Sequence, residues 1–255
     1  MQPKILALDF DGVICDGLIE YFASTKRAYQ QIWSEDADES LAPTFYKLRP
    51  VIETGWEMPI LLRALVSKIS EAEILNDWKG ISLNLLESEG LEKQNVVQKL
   101  DGVRDSWIKQ DLDSWLGLHR FYPGVIEGLQ PIIDSDVEFY IITTKEGRFV
   151  KQLLEQQGIN LPPNHIIGKE SKRPKYETLR IIRDSHQISS DSSIFFVEDR
   201  LKALQQVVQQ PDLNFVSLFL ADWGYNLESD RHLANQDSRI KLLSLKQFST
   251  GFDSW

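Results

Sequence analysis

Five short apolar runs constrain this chain more than any other feature. They are Ile5 to Leu8, Phe139 to Ile142, Ile166 to Ile167, Ile194 to Val197 and Phe215 to Leu220. A strand with one wet face alternates polar and apolar residues, whereas a strand covered on both faces reads as a nearly continuous apolar run. Helix-period patterns lie between the later runs. Phe149, Val150, Leu153 and Leu154 share one face, with Gly158 as a stop; Leu179, Ile181 and Ile182 mark a second helix, and Leu201, Leu204, Val207 and Val208 a third. Buried strands joined by helices predict an α/β fold, a doubly wound parallel sheet with helices on both faces.

The first run is separated from the second by far more chain than one crossover helix needs. Helical windows fill that gap over Gly17 to Trp33, Ile52 to Ser67, Glu71 to Ser88 and Leu91 to Lys109, and five of the seven tryptophans fall in it. We therefore expect an all-helical subdomain over 18–118, inserted into a core made of 1–17 and 119–255. Asp16 is placed to cap the first inserted helix. Pro123 and Gly124 mark the return to the core, and Val125 to Ile133 starts a core helix.

With 255 residues and 42% apolar side chains, the chain can bury a core without covalent staples. A net charge of −10 argues against a nucleic-acid surface. Cys15 is the one cysteine, so no internal disulfide forms and a reducing compartment is expected. Its simplest role is that of a small buried hydrophobe. No N-terminal stretch has the pattern of a signal peptide, and no apolar run approaches the roughly 20 residues that span a bilayer. The expected location is the cytoplasm. Oligomeric state is not legible.

The acids at the strand ends are the anomaly. Asp is disfavoured in strands and rarely buried without a partner. Yet the first run ends in Asp9 and Asp11, and the fourth, IFFVEDR, in Glu198 and Asp199. The second, FYIITTKEG, ends in Thr143 and Thr144, and the basic group GKESKRPK follows the third. Ligands of open parallel sheets bind beyond the carboxyl ends of the strands. Carboxylates without His or Cys favour a hard cation such as Mg²⁺. Such a cation with a lysine offsets the repulsion between a phosphoryl group and an aspartate. The aspartate can then attack phosphorus, while a second acid handles the leaving-group and water protons.

In DFDGV (9–13), the strand ending in Thr143, a downstream lysine and VED (197–199), the chain resembles the haloacid dehalogenase superfamily, whose four motifs occur in that order. The stretches YPGV and DWGYN (222–226) are reminiscent of it too. The resemblance implies a Rossmann-like core with a helical cap inserted after the first motif. It implies Asp9 as nucleophile and Mg²⁺ ligand, and Asp11 as general acid/base with its backbone carbonyl on the metal. Asp199 would complete the metal site, with Glu198 through water. Thr143 would bind a phosphate oxygen, with Thr144 as the alternative, and the amides after Asp9, including that of Gly12, would cradle the phosphate. The lysine is assigned to Lys175, with Lys172 and Arg173 as the other candidates. The dehalogenases of the superfamily lack an acid at the position of Asp11, so phosphatase or phosphomutase chemistry is implied.

The expected function is a Mg²⁺-dependent phosphatase acting on a small phosphorylated metabolite through an aspartyl-phosphate. The alternatives are a sugar phosphomutase resembling beta-phosphoglucomutase, and a non-catalytic binding protein that keeps the fold. In the insert, Arg49, Glu53 and Trp56 fall at spacings of 4 and 3 and are expected to share one helix face, where they would read the leaving group. The four histidines, His119, His165, His186 and His232, are widely spaced and are expected to be structural or surface groups.

Overall fold

The computed structural model describes residues 2–188 and 194–255. The chain divides into two compact units, residues 1–16 with 120–255, and residues 17–119.

Among the described residues, eight strands belong to the first unit. They are β1 (Ile5–Leu8), β2 (Cys15–Asp16), β3 (Arg120–Phe121), β4 (Glu138–Ile142), β5 (Ile166–Ile167), β6 (Ile194–Glu198), β7 (Ser217–Ala221) and β8 (Ile240–Leu243). Six form one sheet in the order β5-β4-β1-β6-β7-β8, with every described pairing parallel. β2 and β3 form a separate antiparallel pair, Cys15 opposite Phe121 and Asp16 opposite Arg120.

The second unit is all helical: α1 (Leu18–Trp33), α2 (Ala42–Leu48), α3 (Glu57–Val66), α4 (Glu71–Ser88), α5 (Lys93–Gln110) and α6 (Leu112–Leu116). The helices of the first unit are α7 (Val125–Ile133), α8 (Gly147–Glu155), α9 (Lys175–Ser185), α10 (Leu201–Val208), α11 (Glu228–Gln236) and α12 (Leu245–Thr250).

The continuous apolar runs have a direct cause in the packing. Alternate residues of each central strand enter different layers. Ile5, Ala7, Tyr140, Ile142, Ile194 and Phe196 join Leu179 and Ile182 of α9 and Leu201, Leu204 and Val207 of α10 in one apolar cluster. The intervening residues reach the opposite face. There the rings of Phe195 and Phe219 lie 5.0 Å apart, and Trp255 stacks 5.3 Å from Phe248 of α12. The sheet is therefore wound on both sides, and β1 and β6 are buried along their whole length.

Several boundaries depart from the sequence reading. β8 escaped it because it is an edge strand; Lys241 is exposed and interrupts the apolar run. The helix expected over Ile52 to Ser67 starts only at Glu57. Pro50 lies in a 3-10 turn over Arg49–Val51, and Ile52 is extended (φ −81°, ψ 123°). The amides of Glu53 and Thr54 donate to the Glu57 carboxylate at 2.8 and 2.6 Å, so they are satisfied outside any helix. By contrast, α4 starts where expected because Ser70 and Glu73 form a reciprocal capping box.

Candidate active site

The chain passes from β1 outward to β4 and β5, then crosses to β6 on the other side of β1. The carboxyl rim beside β1 is thus a topological switch point, where open α/β sheets bind ligands. Leu8 sits in register with Ile141 of β4 and Val197 of β6. Asp9, Thr143 and Glu198 therefore leave three adjacent strands at one rim.

Asp9 is buried and fixed at both ends. Its amide donates to Val197 O at 2.9 Å, and its Oδ1 accepts from the Phe10 amide at 2.7 Å. The Lys175 ammonium lies 2.8 Å from Asp9 Oδ2 and 2.5 Å from Glu198 Oε2. Lys175 is the first residue of α9, directly after the extended N-cap residue Pro174. Lys172 and Arg173 are exposed, so of the three basic candidates it is Lys175 that meets Asp9. Glu198 Oε1 accepts from the Arg200 amide at 3.0 Å, and Asp199 Oδ2 from the Tyr225 amide at 2.8 Å. One carboxylate oxygen each from Asp9, Glu198 and Asp199 lie within 4.8 Å of one another.

Gly12 makes this crowding geometrically feasible. Its φ is +86°, and a Cβ there would fall 2.1 Å from Asp199 Oδ2. Its amide, expected to face a phosphate, is instead taken by Cys15 O at 2.8 Å. What Gly12 contributes is a tight turn and room for Asp199. Thr143 is buried; its Oγ1 accepts from the Lys145 amide at 3.1 Å. Thr144 is exposed.

Three buried carboxylates repel each other and lose hydration together. Burial, helped by Glu198, pushes the Asp9 carboxyl up to about 7. Burial and the Asp9 charge push Asp199 up to about 6, and burial also raises Glu198. Burial works against the Lys175 charge, but attraction to Asp9 and Glu198 outweighs it and holds the ammonium protonated well above its ordinary range. One lysine between two of three carboxylates leaves a negative, all-oxygen donor set. That set suits a hard divalent cation.

Two features of this rim go beyond the sequence reading. Lys145, two residues past Thr143, places its Nζ 3.3 Å from Asp11 Oδ1. The signal was present in TTKEG but is indistinguishable from an ordinary solvated loop lysine. The DWGYN loop acts as a clamp. Trp223 Nε1 donates to Val13 O at 3.1 Å, Tyr225 OH to Asp16 Oδ1 at 2.9 Å, and Asn226 Nδ2 to Asp199 O at 3.1 Å. Asp16 thus partners Tyr225 across this loop.

In the helical unit, the expected common face of Arg49, Glu53 and Trp56 does not form, because residues 52–56 are not helical. Arg49 Nη1 donates to Ile52 O at 3.0 Å, and its guanidinium lies 5.1 Å from the Tyr21 ring centre. Trp56 is buried, with the Lys93 ammonium 4.8 Å from its ring centre. Glu53 is exposed.

Residues 60–206 match the family described as haloacid dehalogenase-like hydrolase. That span carries Thr143, Lys145, Lys175, Glu198 and Asp199. A phosphoglycolate phosphatase of Pseudomonas fluorescens is 24% identical over 198 residues, covering 75% of this chain and 70% of its own length. Another, from Pseudomonas savastanoi, is 24% identical over 228 residues, covering 85% and 77%. Among solved structures, a predicted phosphatase from Clostridium acetobutylicum superposes with a TM-score of 0.59 at 15% identity, covering 98% of both chains. A haloacid dehalogenase-like family hydrolase from Streptococcus pneumoniae gives 0.57 at 13% identity, covering 95% of this chain and 94% of that one.

Proposed function

Because the chain belongs to the haloacid dehalogenase-like hydrolase family, we propose that it is a divalent-metal-dependent phosphatase of a small phosphorylated metabolite, with Asp9 as nucleophile. The observation that carries this reading is Asp9 itself: buried, pinned through Oδ1, and paired through Oδ2 with Lys175 beside two further carboxylates.

Asp9, Asp199 and the backbone carbonyl of Asp11 would hold Mg²⁺, with Glu198 supporting through water. The ion would supply positive charge to the phosphoryl oxygens. The protein does the rest. A carboxylate oxygen of Asp9 attacks phosphorus, and the bond from phosphorus to the leaving oxygen breaks. Asp11 gives its proton to that oxygen, releasing an alcohol. Asp11 then takes a proton from water as the water oxygen attacks phosphorus, and the bond to Asp9 breaks. Inorganic phosphate leaves and both side chains are restored. Lys175 keeps Asp9 aligned and adds a fixed positive charge against the incoming phosphate. Thr143 supplies a hydroxyl to a phosphate oxygen.

The test is phosphate release from a panel of phosphate monoesters, with Mg²⁺ and with chelator. 2-Phosphoglycolate is the first compound to include, because the relatives above carry that activity in their names. Metal-dependent release from at least one compound is expected. No release from any would favour a binding protein, and loss of a sugar 1-phosphate without phosphate release would favour a mutase.

The same acids set a pH dependence in the metal-free protein. Asp9 and Asp199 have folded values raised above the ordinary 3.8, to about 7 and about 6. Between those limits the folded state binds more protons than the unfolded state, so stability falls as pH rises from about 4 to about 7. A bound cation favours the ionised forms and opposes this loss. Thermal denaturation is expected to show a larger stabilisation by Mg²⁺ at pH 7.5 than at pH 5. An equal shift at both pH values would count against these acids as the cation's ligands.

A further inference from the structure

We propose that Lys145 is a positioning residue for Asp11: its ammonium holds Oδ1, so that Oδ2 is the oxygen that presents the proton to the leaving group. The proposal rests on the phosphatase reading above and goes beyond it, since Lys145 would touch neither phosphorus nor the nucleophile.

Lys145 is an unusual lysine. Its side chain is only 9% exposed, and that of Asp11 is 19% exposed. Lysines are almost never buried to this extent without a partner, and an ion pair shielded from water holds its geometry better than one at the surface. The 3.3 Å contact joins side chains 134 positions apart in sequence.

The backbone around Lys145 is built to hold it. Its amide donates to Thr143 Oγ1 at 3.1 Å, and its carbonyl accepts from the Lys169 amide at 2.9 Å. Two residues on, the Gly147 amide donates to Glu170 Oε2 at 3.2 Å. The approach of the two loops is so close that a Cβ on Gly168 would lie 2.4 Å from Gly147 N and 2.7 Å from Lys145 O. The segment carrying Lys145 is thereby locked to the segment after β5. A rigid mount is what a residue needs if it is to fix another group's orientation, because a small misplacement of a proton donor is costly in rate.

Without Lys145, the Asp11 carboxylate can rotate about its side-chain torsions while the rest of the site stays intact. The defect should therefore appear only where the leaving oxygen needs a proton. Nitrophenolate departs as a stable anion. An alkoxide does not, and the proton from Asp11 is then part of bond cleavage. General acid catalysis typically contributes ~10²–10⁴-fold.

The experiment measures kcat/KM, which reports steps up to formation of the phosphorylated enzyme, for a series from p-nitrophenyl phosphate to an alkyl phosphate. Wild type, Lys145→Met, Lys145→Gln, Asp11→Asn and the Lys145→Met/Asp11→Asn double variant are compared. Using two replacements of Lys145 guards against one of them failing to fold. We expect the Lys145 variants to lose less than about 10-fold on the aryl ester and at least about 100-fold on the alkyl ester, following the trend of Asp11→Asn. In the Asp11→Asn background, Lys145→Met should cost nothing further, because the group it positions is gone. A loss of equal size across the series, or a full further loss in the double variant, would overturn the proposal in favour of direct phosphate contact or a purely structural role. Should Asp11→Asn itself show no leaving-group trend, the acid assignment of Asp11 fails instead, and with it the premise. The two failures are therefore distinguishable.

Discussion

Asp9→Asn is expected to abolish phosphate release, by at least about 10⁴-fold in kcat, while leaving the fold intact. Removing a covalent nucleophile eliminates the pathway rather than slowing it, so the loss should be of the size seen when other nucleophilic enzymes are disarmed. The structural cost is small for an identifiable reason. Asparagine keeps an oxygen to accept from the Phe10 amide at the Oδ1 position, and the one local cost is its amide nitrogen, a donor set where Oδ2 met the Lys175 ammonium. Lys175 is not orphaned either, because Glu198 Oε2 remains 2.5 Å from its ammonium. The substitution also removes one of three mutually repelling buried carboxylates. The relief of repulsion opposes the lost Lys175 contact, so denaturation midpoints in metal-free buffer should stay close to those of the wild type. Mass spectrometry after brief mixing with substrate gives a second readout: wild type should carry one phosphoryl group and Asp9→Asn none. Turnover retained in the variant would remove Asp9 from the nucleophilic role, whatever the rest of the rim does.

The sheet was legible in the sequence where burial on both faces left a continuous apolar run. β1 and β6 show this, since every one of their residues is buried. It was not legible at β8, where one exposed lysine on an edge strand dissolves the signature. Helix limits followed the same logic. α7 starts at the residue after Gly124, whose positive φ marks the turn, and α4 starts at its capping box. α3 starts late because Glu57 draws the preceding amides to its side chain, a competition between local hydrogen bonds that apolar spacing does not register. In the candidate site, the carboxylates stood out because an acid after a buried run is chemically anomalous. Lysines at loop positions carry no such anomaly. Lys175 was preferred to Lys172 and Arg173 through the family resemblance and not through any chemical anomaly of its own, and Lys145 needed a pairing with a residue 134 positions away.

Within the helical unit, Arg104→Leu is expected to cost about 3–5 kcal/mol of stability. Glu20 of α1 is 1% exposed, yet it carries a full carboxylate. Arg104 of α5 engages both of its oxygens, Nε at 2.8 Å and Nη2 at 3.0 Å. Ser24 Oγ at 2.5 Å and Trp115 Nε1 at 3.1 Å also donate to it. The pairing ties α1, α5 and α6 around one buried charge. Removing the guanidinium takes the charged partner from a carboxylate that water cannot reach, and the penalty is that of a poorly compensated buried ion rather than of a lost contact. The net worth of the pair is much smaller, because its own desolvation opposes the attraction. The double variant Arg104→Leu/Glu20→Leu should therefore recover much of what Arg104→Leu loses. Urea denaturation followed by tryptophan fluorescence measures both, as Trp107 lies in α5 and Trp115 in α6. If the double variant were instead as unstable as the sum of the two single ones, Glu20 and Arg104 would be acting independently, and the packing of α1 on α5 would need another explanation.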